Sequence, residues 1–482
     1  MSPEPSPAEL AAALQRLSEW AQRTAPPREN QFAQLLKSHM GDEFAELPVT
    51  TLELDQYDRA NLQIALDELV AERPGEPTIV GVSGRHFEVS LTSLGREDYG
   101  PRPGPVDRTV IELAGGRTLS CVVLGIYLVP GDEPLVVLIG RDQHGFHGGR
   151  ILVEVMARTP ESGERFVEEL KRLMQERNVF RGQVISLSGR EDMPGSALGV
   201  AFHEIPDIPR EDIVLPDGLL ERIERNTITF AEKSDRLLAA GRHLRRGLLL
   251  YGPPGTGKTM TARYLTSRLE GRTVLLLSGR GYGLVEASCG LARQLQPSMI
   301  VLEDVDLVAQ ERTMMYGGGT SILFELLNEM DGLDPDADVI FLLTTNRADL
   351  LEPALAARPG RIDLAVELPL PNSQDRNRLI ENYCRGLEVE LKSPQEIVER
   401  TDGGSPAFIR ELVRKAALVA AEQDESIVRD EHFAGALSEL EAGGQLLRRI
   451  LGAEAAPAAS GPPDMAGWGQ PTAGWQEDWD ED

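Results

Sequence analysis

The chain has 482 residues, 41% of them hydrophobic, with 49 Lys and Arg against 77 Asp and Glu and a formal net charge of −28. That length predicts two or three domains rather than one core, and the charge makes non-specific nucleic-acid binding unlikely, because that needs clustered cations. Cys121, Cys289 and Cys384 are far apart and odd in number, which predicts buried apolar thiols in a reducing compartment, not a disulfide framework.

The opening Met1-Ser2-Pro3-Glu4-Pro5 lacks the basic start and apolar run of a secretion signal. The longest apolar stretch, Cys121 to Pro130, is too short for a membrane span. A cytoplasmic protein without a membrane span is expected. Residues 1–75 read as helical and acidic. Leu10, Leu14 and Leu17 fall at helical spacing, and Tyr57 to Ala71 shows a second amphipathic pattern. A Gly/Pro-rich stretch from Tyr99 to Pro105 leads into apolar runs at 109–113, 119–129, 135–139 and 151–155. Gly115-Gly116, Pro130-Gly131-Asp132 and Gly148-Gly149 separate them, as in a small β meander. Glu161 to Arg177 reads as an amphipathic helix. Residues 1–200 are therefore expected to form an α+β N-terminal region that selects a protein substrate or partner.

Residues 207–370 alternate strands and helices, the pattern of an α/β unit with a parallel sheet between helices. The expected strands are 247–251, 273–277, 299–302, 339–344 and 364–368. Residues 371–452 predict a helical lid, with all of 372–442 read as helix. Ser393-Pro394 and Ser405-Pro406 each place a capping serine before a first-turn proline. From Glu454 onward there are seven acidic residues and no Lys or Arg, so residues 453–482 predict a disordered acidic tail. Trp468, Trp475 and Trp479 lie in it. They suit either a peptide that docks on a partner or a merely solubilising tail.

Chemistry concentrates at Gly252-Pro253-Pro254-Gly255-Thr256-Gly257-Lys258-Thr259, followed by Met260. An apolar run precedes this segment and a helical one follows, the context of a phosphate-binding loop. Its glycines let backbone N–H groups converge, and the helix N-terminus adds positive potential. Lys258 is expected to reach the β- and γ-phosphates of ATP, and the Thr259 hydroxyl to hold Mg²⁺. A plain Gly/Pro turn needs no such spacing. The run Met299 to Leu302 ends in Glu303 and Asp304, with Asp306 just beyond. Glu303 and Asp304 can serve Mg²⁺ and the attacking water. Asn346 ends the next apolar strand and can position that water. Arg358 and Arg361 flank Pro359-Gly360 in a rigid cationic turn, able to stabilise charge in a neighbouring subunit's site, an effect worth ~10³–10⁵ in rate elsewhere. His144, His147 and His203 have no metal-ligand spacing, and no His-Glu-x-x-His is present.

Loop, acidic strand end, Thr344-Thr345-Asn346 and Ala357-Arg358-Pro359-Gly360-Arg361-Ile362-Asp363, in this order and before a helical lid, resemble the AAA family of AAA+ ATPases over residues 207–442. The resemblance implies a homo-oligomeric ring, usually a hexamer, with each nucleotide held between neighbours. It matches Lys258 and Thr259 to the phosphate loop, Glu303 and Asp304 to the acidic pair, Asn346 to the first sensor, and Arg358 and Arg361 to the arginine fingers. The run Arg245 to Gly252, the order Leu302-Glu303-Asp304-Val305-Asp306 and the short segment Ser278 to Pro297 resemble the branch of the mitochondrial respiratory-complex-III assembly chaperone and its bacterial relatives. That chaperone's membrane helix has no counterpart here, so its translocation role is not expected. The pore loop departs from the family pattern: Tyr282-Gly283 is only a loose match to a substrate-gripping loop, with Met314-Met315-Tyr316-Gly317-Gly318-Gly319 where a second would lie. Where many other AAA+ proteins carry a lid arginine, Ala407 stands here, as in the AAA branch. The expected function is an ATP-hydrolysing remodelling machine acting on proteins. The alternative is a nucleotide-switched scaffold with slow turnover.

Overall fold

The computed structural model describes residues 16, 30–83, 89–94, 101–141, 150–188, 199–277, 284–306, 322–332, 334, 336–349 and 361–442. The helix expected around Leu10 to Leu17, His144, His147, Tyr282, the 314–319 segment, Arg358 and the tryptophan tail lie outside the described residues, Arg16 apart.

The N-terminal part is built on a mixed-length antiparallel sheet. Its strands are β1 (Val49–Leu54), β2 (Thr78–Ser83), β3 (Arg102–Gly104), β4 (Asp107–Glu112), β5 (Thr118–Val129), β6 (Leu135–Arg141) and β7 (Ile151–Met156). They run β1-β7-β6-β5-β2-β3, with β4 also paired to β5. The continuous apolar runs follow from burial of both faces. Leu135, Val137 and Ile139 of β6 pack with α2 (Arg59–Ala71) and α3 (Pro160–Glu176), through Leu62, Leu66, Phe166 and Leu170. The alternating Val136 and Leu138 pack with Phe32 and Leu36 of α1 (Gln31–Met40). Thr159 caps α3 by accepting from Ser162 N–H, with Pro160 in its first turn. Residues 1–75 are not wholly helical as expected. The Val-Thr-Thr-Leu-Glu-Leu run of β1 pairs antiparallel with β7, Val49 opposite Met156, as its β-branched residues favour.

The second sheet joins β8 (Val184–Ser188), β9 (Gly199–His203), β10 (Arg246–Tyr251), β11 (Thr273–Leu277), β12 (Ser298–Leu302), β13 (Val339–Thr345) and β14 (Leu364–Glu367). Its order is β14-β10-β13-β12-β11-β8-β9. All neighbours are parallel except the edge pair β8–β9. Residues of β13 again alternate between two cores, Phe341 and Leu343 to one and Ile340 and Leu342 to the other. The expected boundary at residue 200 falls inside this sheet. Ile185 and Leu187 are buried in its core, so β8 and β9 extend the nucleotide-side sheet although they precede residue 207.

The C-terminal lid packs α8 (Ser373–Tyr383), α9 (Pro394–Arg400), α10 (Pro406–Glu422) and α11 (Asp430–Ala442) around Leu379, Ile409, Leu412, Phe433 and Leu437. Helices α4 (Leu219–Asn226), α5 (Lys258–Arg268), α6 (Val285–Gln294) and α7 (Ile322–Asp331) belong to the α/β unit. The lid is not all helix. β15 (Glu388–Glu390) and β16 (Ile427–Arg429) form a two-stranded parallel ladder. Ser405 caps α10, accepting from Phe408 N–H at 3.2 Å. Ser393 makes no side-chain cap, and its own N–H donates to Asp430 Oδ1 at 2.8 Å. Among the described residues no helix is long and apolar enough to cross a membrane.

Arg272 clasps the N-terminal ends of three sheet strands. It is 5% exposed, donates to Ser298 O at 2.9 Å, and forks onto Asp338 at 2.7 and 3.0 Å. Replacing it leaves Asp338 without a counter-charge, and breaking such a pair costs about 3–5 kcal/mol. Arg272→Met should therefore lower the denaturation midpoint of the α/β unit, read by amide exchange at residues 273–302. Unchanged exchange there would count against the clasp.

Candidate nucleotide site

β10 ends at Tyr251 and the chain turns through the loop into α5. Gly252, Gly255 and Gly257 adopt φ of 145°, 78° and 97°, backbone that a side chain resists. A Cβ on Gly252 would sit 2.3 Å from Leu368 O. One on Gly255 would sit 2.7 Å from Ser405 Oγ and 2.9 Å from Ala407 Cβ. The lid thus presses directly on the loop, and Ala407 N–H donates to Gly255 O at 3.2 Å.

A cleft of about 850 Å³ lies between loop and lid. Pro254, Gly255, Gly257, Lys258, Thr259 and Met260 line it from the loop, and Asp304 and Asn346 from the ends of β12 and β13. Gly252, Pro253 and Thr256 do not line it. Thr256 is buried and donates to Pro253 O at 2.9 Å, so these three shape the loop rather than face a ligand. Lys258 is 6% exposed, and its Nζ donates to Gly252 O and Pro253 O, both at 2.8 Å. Burial lowers its pKa to about 8, against the raising fields of Asp304 and Asp306.

The acids separate. Asp304 holds a left-handed backbone at φ 53°. Its N–H donates to Thr344 Oγ1 at 3.0 Å, and its Oδ1 accepts from Asn346 Nδ2 at 3.2 Å. Glu303 instead faces an adjoining cavity of about 350 Å³. Burial raises its pKa; the Arg263 charge and a hydrogen bond with the Thr259 side chain oppose the rise, and the Asp304 charge adds to it. Asp306 is buried, and its Oδ1 accepts from Thr345 Oγ1 at 2.9 Å and Asn346 N–H at 3.1 Å. It braces the end of β13 rather than facing the cleft. Thr259, Glu303 and Asp304 form a set of hydroxyl and carboxylate oxygens, the hard donors Mg²⁺ takes. The loop's inward N–H groups, ahead of α5, suit a polyphosphate.

Arg361 lies elsewhere. Its carbonyl oxygen approaches Gly247 so closely that a Cβ there would be 2.1 Å away. Gly247 stands four residues before Tyr251 in β10, a separation of roughly 13 Å along a strand. Arg361 is thus at the opposite end of β10 from the loop, where its guanidinium pairs with Asp331 at the end of α7.

Sequence reasoning missed several cleft residues: Pro206, Ile208, Arg263, Tyr383 and Arg410. Arg263 was findable, since it follows Thr259 by one helical turn and shares its face. Tyr383 and Arg410 come from the folded-back lid, and no local pattern marks them. His203 Nε2 is hydrogen-bonded with Ser186 Oγ at 2.7 Å. Among the described residues Glu425, Glu431 and His432 cluster in the lid. His432 Nδ1 accepts from Arg429 N–H at 3.0 Å, which puts the neutral ring's proton on Nε2 and leaves that nitrogen no lone pair for a metal.

The family model of the ATPase family associated with various cellular activities (AAA) matches residues 248–370. A proteasome-activating nucleotidase of Thermococcus onnurineus (strain NA1) is 30% identical over 301 residues, covering 58% of this chain and 75% of that protein. The proteasome-activating nucleotidase of Pyrococcus horikoshii is 29% identical over 303 residues, covering 58% and 75%. The 26S protease regulatory subunit 6A of Caenorhabditis elegans is 32% identical over 235 residues, covering 46% and 54%. The matched span contains the loop, both acids and Asn346, and with the parallel sheet and lid around them the chain belongs to the AAA family of ATPases.

Proposed function

We propose that this ATPase remodels protein substrates as a homo-oligomeric ring, hydrolysing ATP at seams between subunits. The observation that carries this reading is the convergence of Lys258, Thr259, Asp304 and Asn346 on one cleft. Lys258 would exchange its two loop carbonyls for phosphate oxygens. Thr259 and Glu303, already hydrogen-bonded, would hold Mg²⁺, which when bound neutralises phosphate charge. Asp304, oriented by Asn346, would accept the proton of the attacking water. Arg361 stands too far from its own loop to act there, so its contribution, with Arg358, would be to the neighbouring subunit's nucleotide. The relatives named as proteasome activators support a protein substrate. The N-terminal region and the tryptophan tail are proposed to recruit it, in the cytoplasm. The resemblance to the complex-III assembly chaperone's branch rests on the run Arg245 to Gly252 and on the Glu303-Asp304 order. It remains a proposal beside these relatives. A scaffold with slow turnover would not need Asp304 held toward the cleft by Asn346.

Lys258→Ala should abolish nucleotide binding measured by calorimetry. Asp304→Asn should keep binding while turnover falls roughly 10²–10⁴-fold; intact turnover would remove Asp304 as the base. Gly255→Ala forces a Cβ against Ser405 and Ala407 at positive φ, a strain of about 1–3 kcal/mol, and should weaken ATP binding roughly 5- to 150-fold. Mixing Arg361→Ala with Lys258→Ala subunits should restore part of the ATPase rate. In such mixtures some seams pair an intact loop with an intact arginine. No recovery in rings shown to be mixed would rule out action across the seam.

A further inference from the structure

One wall of the nucleotide cleft, the chain that follows β9, leads out of an edge hairpin. Among the described residues β9 is the last strand of its sheet and pairs with β8 alone. β8 in turn pairs with β11 only at Val184 and Ile185. Just beyond His203 the chain lines the cavity beside Glu303 with Glu204 and Ile205, then both cavities with Pro206, then the cleft itself with Ile208. Three residues of chain, His203 to Pro206, span at most roughly 10 Å, so β9 anchors the near end of that wall, while Arg268 of α5, donating to Ile208 O at 3.1 Å, anchors the far end. Backbone ladders alone tie this hairpin weakly to the sheet.

What supports it from below comes from the N-terminal part. The short turn Gln56–Asp58 joins β1 to α2 and packs against β9. Tyr57 in that turn is 9% exposed and belongs to the core of the ATPase sheet, beside Phe180, Ile185 and Leu187. Val200 and Phe202 of β9 pack on the same cluster, and the Phe180 and Phe202 rings stand 5.9 Å apart. The Tyr57 hydroxyl donates to Asp55 Oδ2 at 2.8 Å, which leaves the ring face for packing. A second tie locks the turn in place. Asn61, fully buried, accepts from Val179 N–H at 3.0 Å and donates to Asp58 Oδ1 at 3.3 Å.

We propose that Tyr57 is a positioning residue for nucleotide binding: its ring, supplied by the N-terminal region, props the β8–β9 hairpin and thereby holds Pro206 at the cleft. The N-terminal region then completes the nucleotide site, and a load on it moves the cleft wall. This rests on the reading of the cleft as the ATP site.

The test uses the full chain. Tyr57→Ala should raise Kd and KM for ATP about two- to thirtyfold with kcat little changed, and should lower amide-exchange protection at residues 199–208 while β5 to β7 stay protected. Tyr57→Phe keeps the ring and should match the unaltered protein. Phe202→Ala removes the β9 ring that packs on the same cluster, and should reproduce the effect without adding to it in the double variant; it also carries the test if Tyr57→Ala does not fold. Unchanged affinity in the folded alanine variants, additive effects, or a Tyr57→Phe loss equal to that of Tyr57→Ala would each overturn the inference. Lys258→Ala is the control. If it still binds ATP, the site reading itself fails; if it does not while Tyr57→Ala is silent, only this inference fails.

Discussion

Everything at the nucleotide site depends on three parallel strands ending together. β10 pairs with β13, Tyr251 opposite Thr345, and β12 pairs with β13, Leu302 opposite Leu343. The strands are apolar because helices and a second core cover both faces. Polar residues can therefore appear only where the strands stop. The loop after Tyr251, Glu303 and Asp304 after Leu302, and Asn346 after Thr345 are brought to one edge by register alone. A one-residue slip in any pair would move each side chain from one core to the other and carry the loop, Glu303 and Asn346 out of line. The register is held by the packing of Leu302, Leu343 and Phe341, all fully buried in one of those cores.

Within that edge, the charges are arranged with little solvent. Lys258 is held among its own loop's carbonyls, and burial weakens its hold on a proton. A buried ammonium is tolerable only with good partners, and two carbonyl oxygens plus the fields of Asp304 and Asp306 provide them. The three acids are not equivalent despite their adjacency. Asp306 is consumed by Thr345 and Asn346, Glu303 leans toward Thr259 and Arg263, and Asp304 remains toward the cleft, in backbone strained enough to be uncommon for a non-glycine residue. Strain of that kind persists when surrounding contacts over-determine it. Here the Thr344 and Asn346 hydrogen bonds do so.

The sequence made the strand-loop-helix of residues 246–268 legible, since apolar run, glycine spacing and helical pattern agree across levels. The strands ending in Glu303 and Asn346 were legible for the same reason. Three things were not. The split of roles between Glu303 and Asp306 depends on side-chain direction after a bend at Asp304, which no spacing encodes. β8 and β9 are short, stand ten residues apart in the chain, and are strands through pairing with each other and with the edge that β11 offers. The lid's small β15–β16 ladder joins residues far apart in the chain, Glu388 opposite Ile427. Non-local pairing of such short runs leaves almost no periodic trace.

Arg361 lies at the end of β10 away from its own subunit's loop. Its side chain is only 15% exposed, and Asp331 neutralises it across the start of β14. That pairing fixes the guanidinium at the end of the sheet remote from the loop. An unpaired guanidinium so placed would repel its like in other copies and wander among rotamers. A carboxylate partner keeps it extended and ordered until a better anion arrives. A phosphate group accepts a guanidinium fork as readily as Asp331 does and carries more charge. In the proposed ring, exchange of Asp331 for a neighbour's nucleotide would be favoured more by a triphosphate, which carries more charge than a diphosphate. The same ion pair that makes the isolated subunit self-consistent would thus let the seam sense whether hydrolysis has occurred.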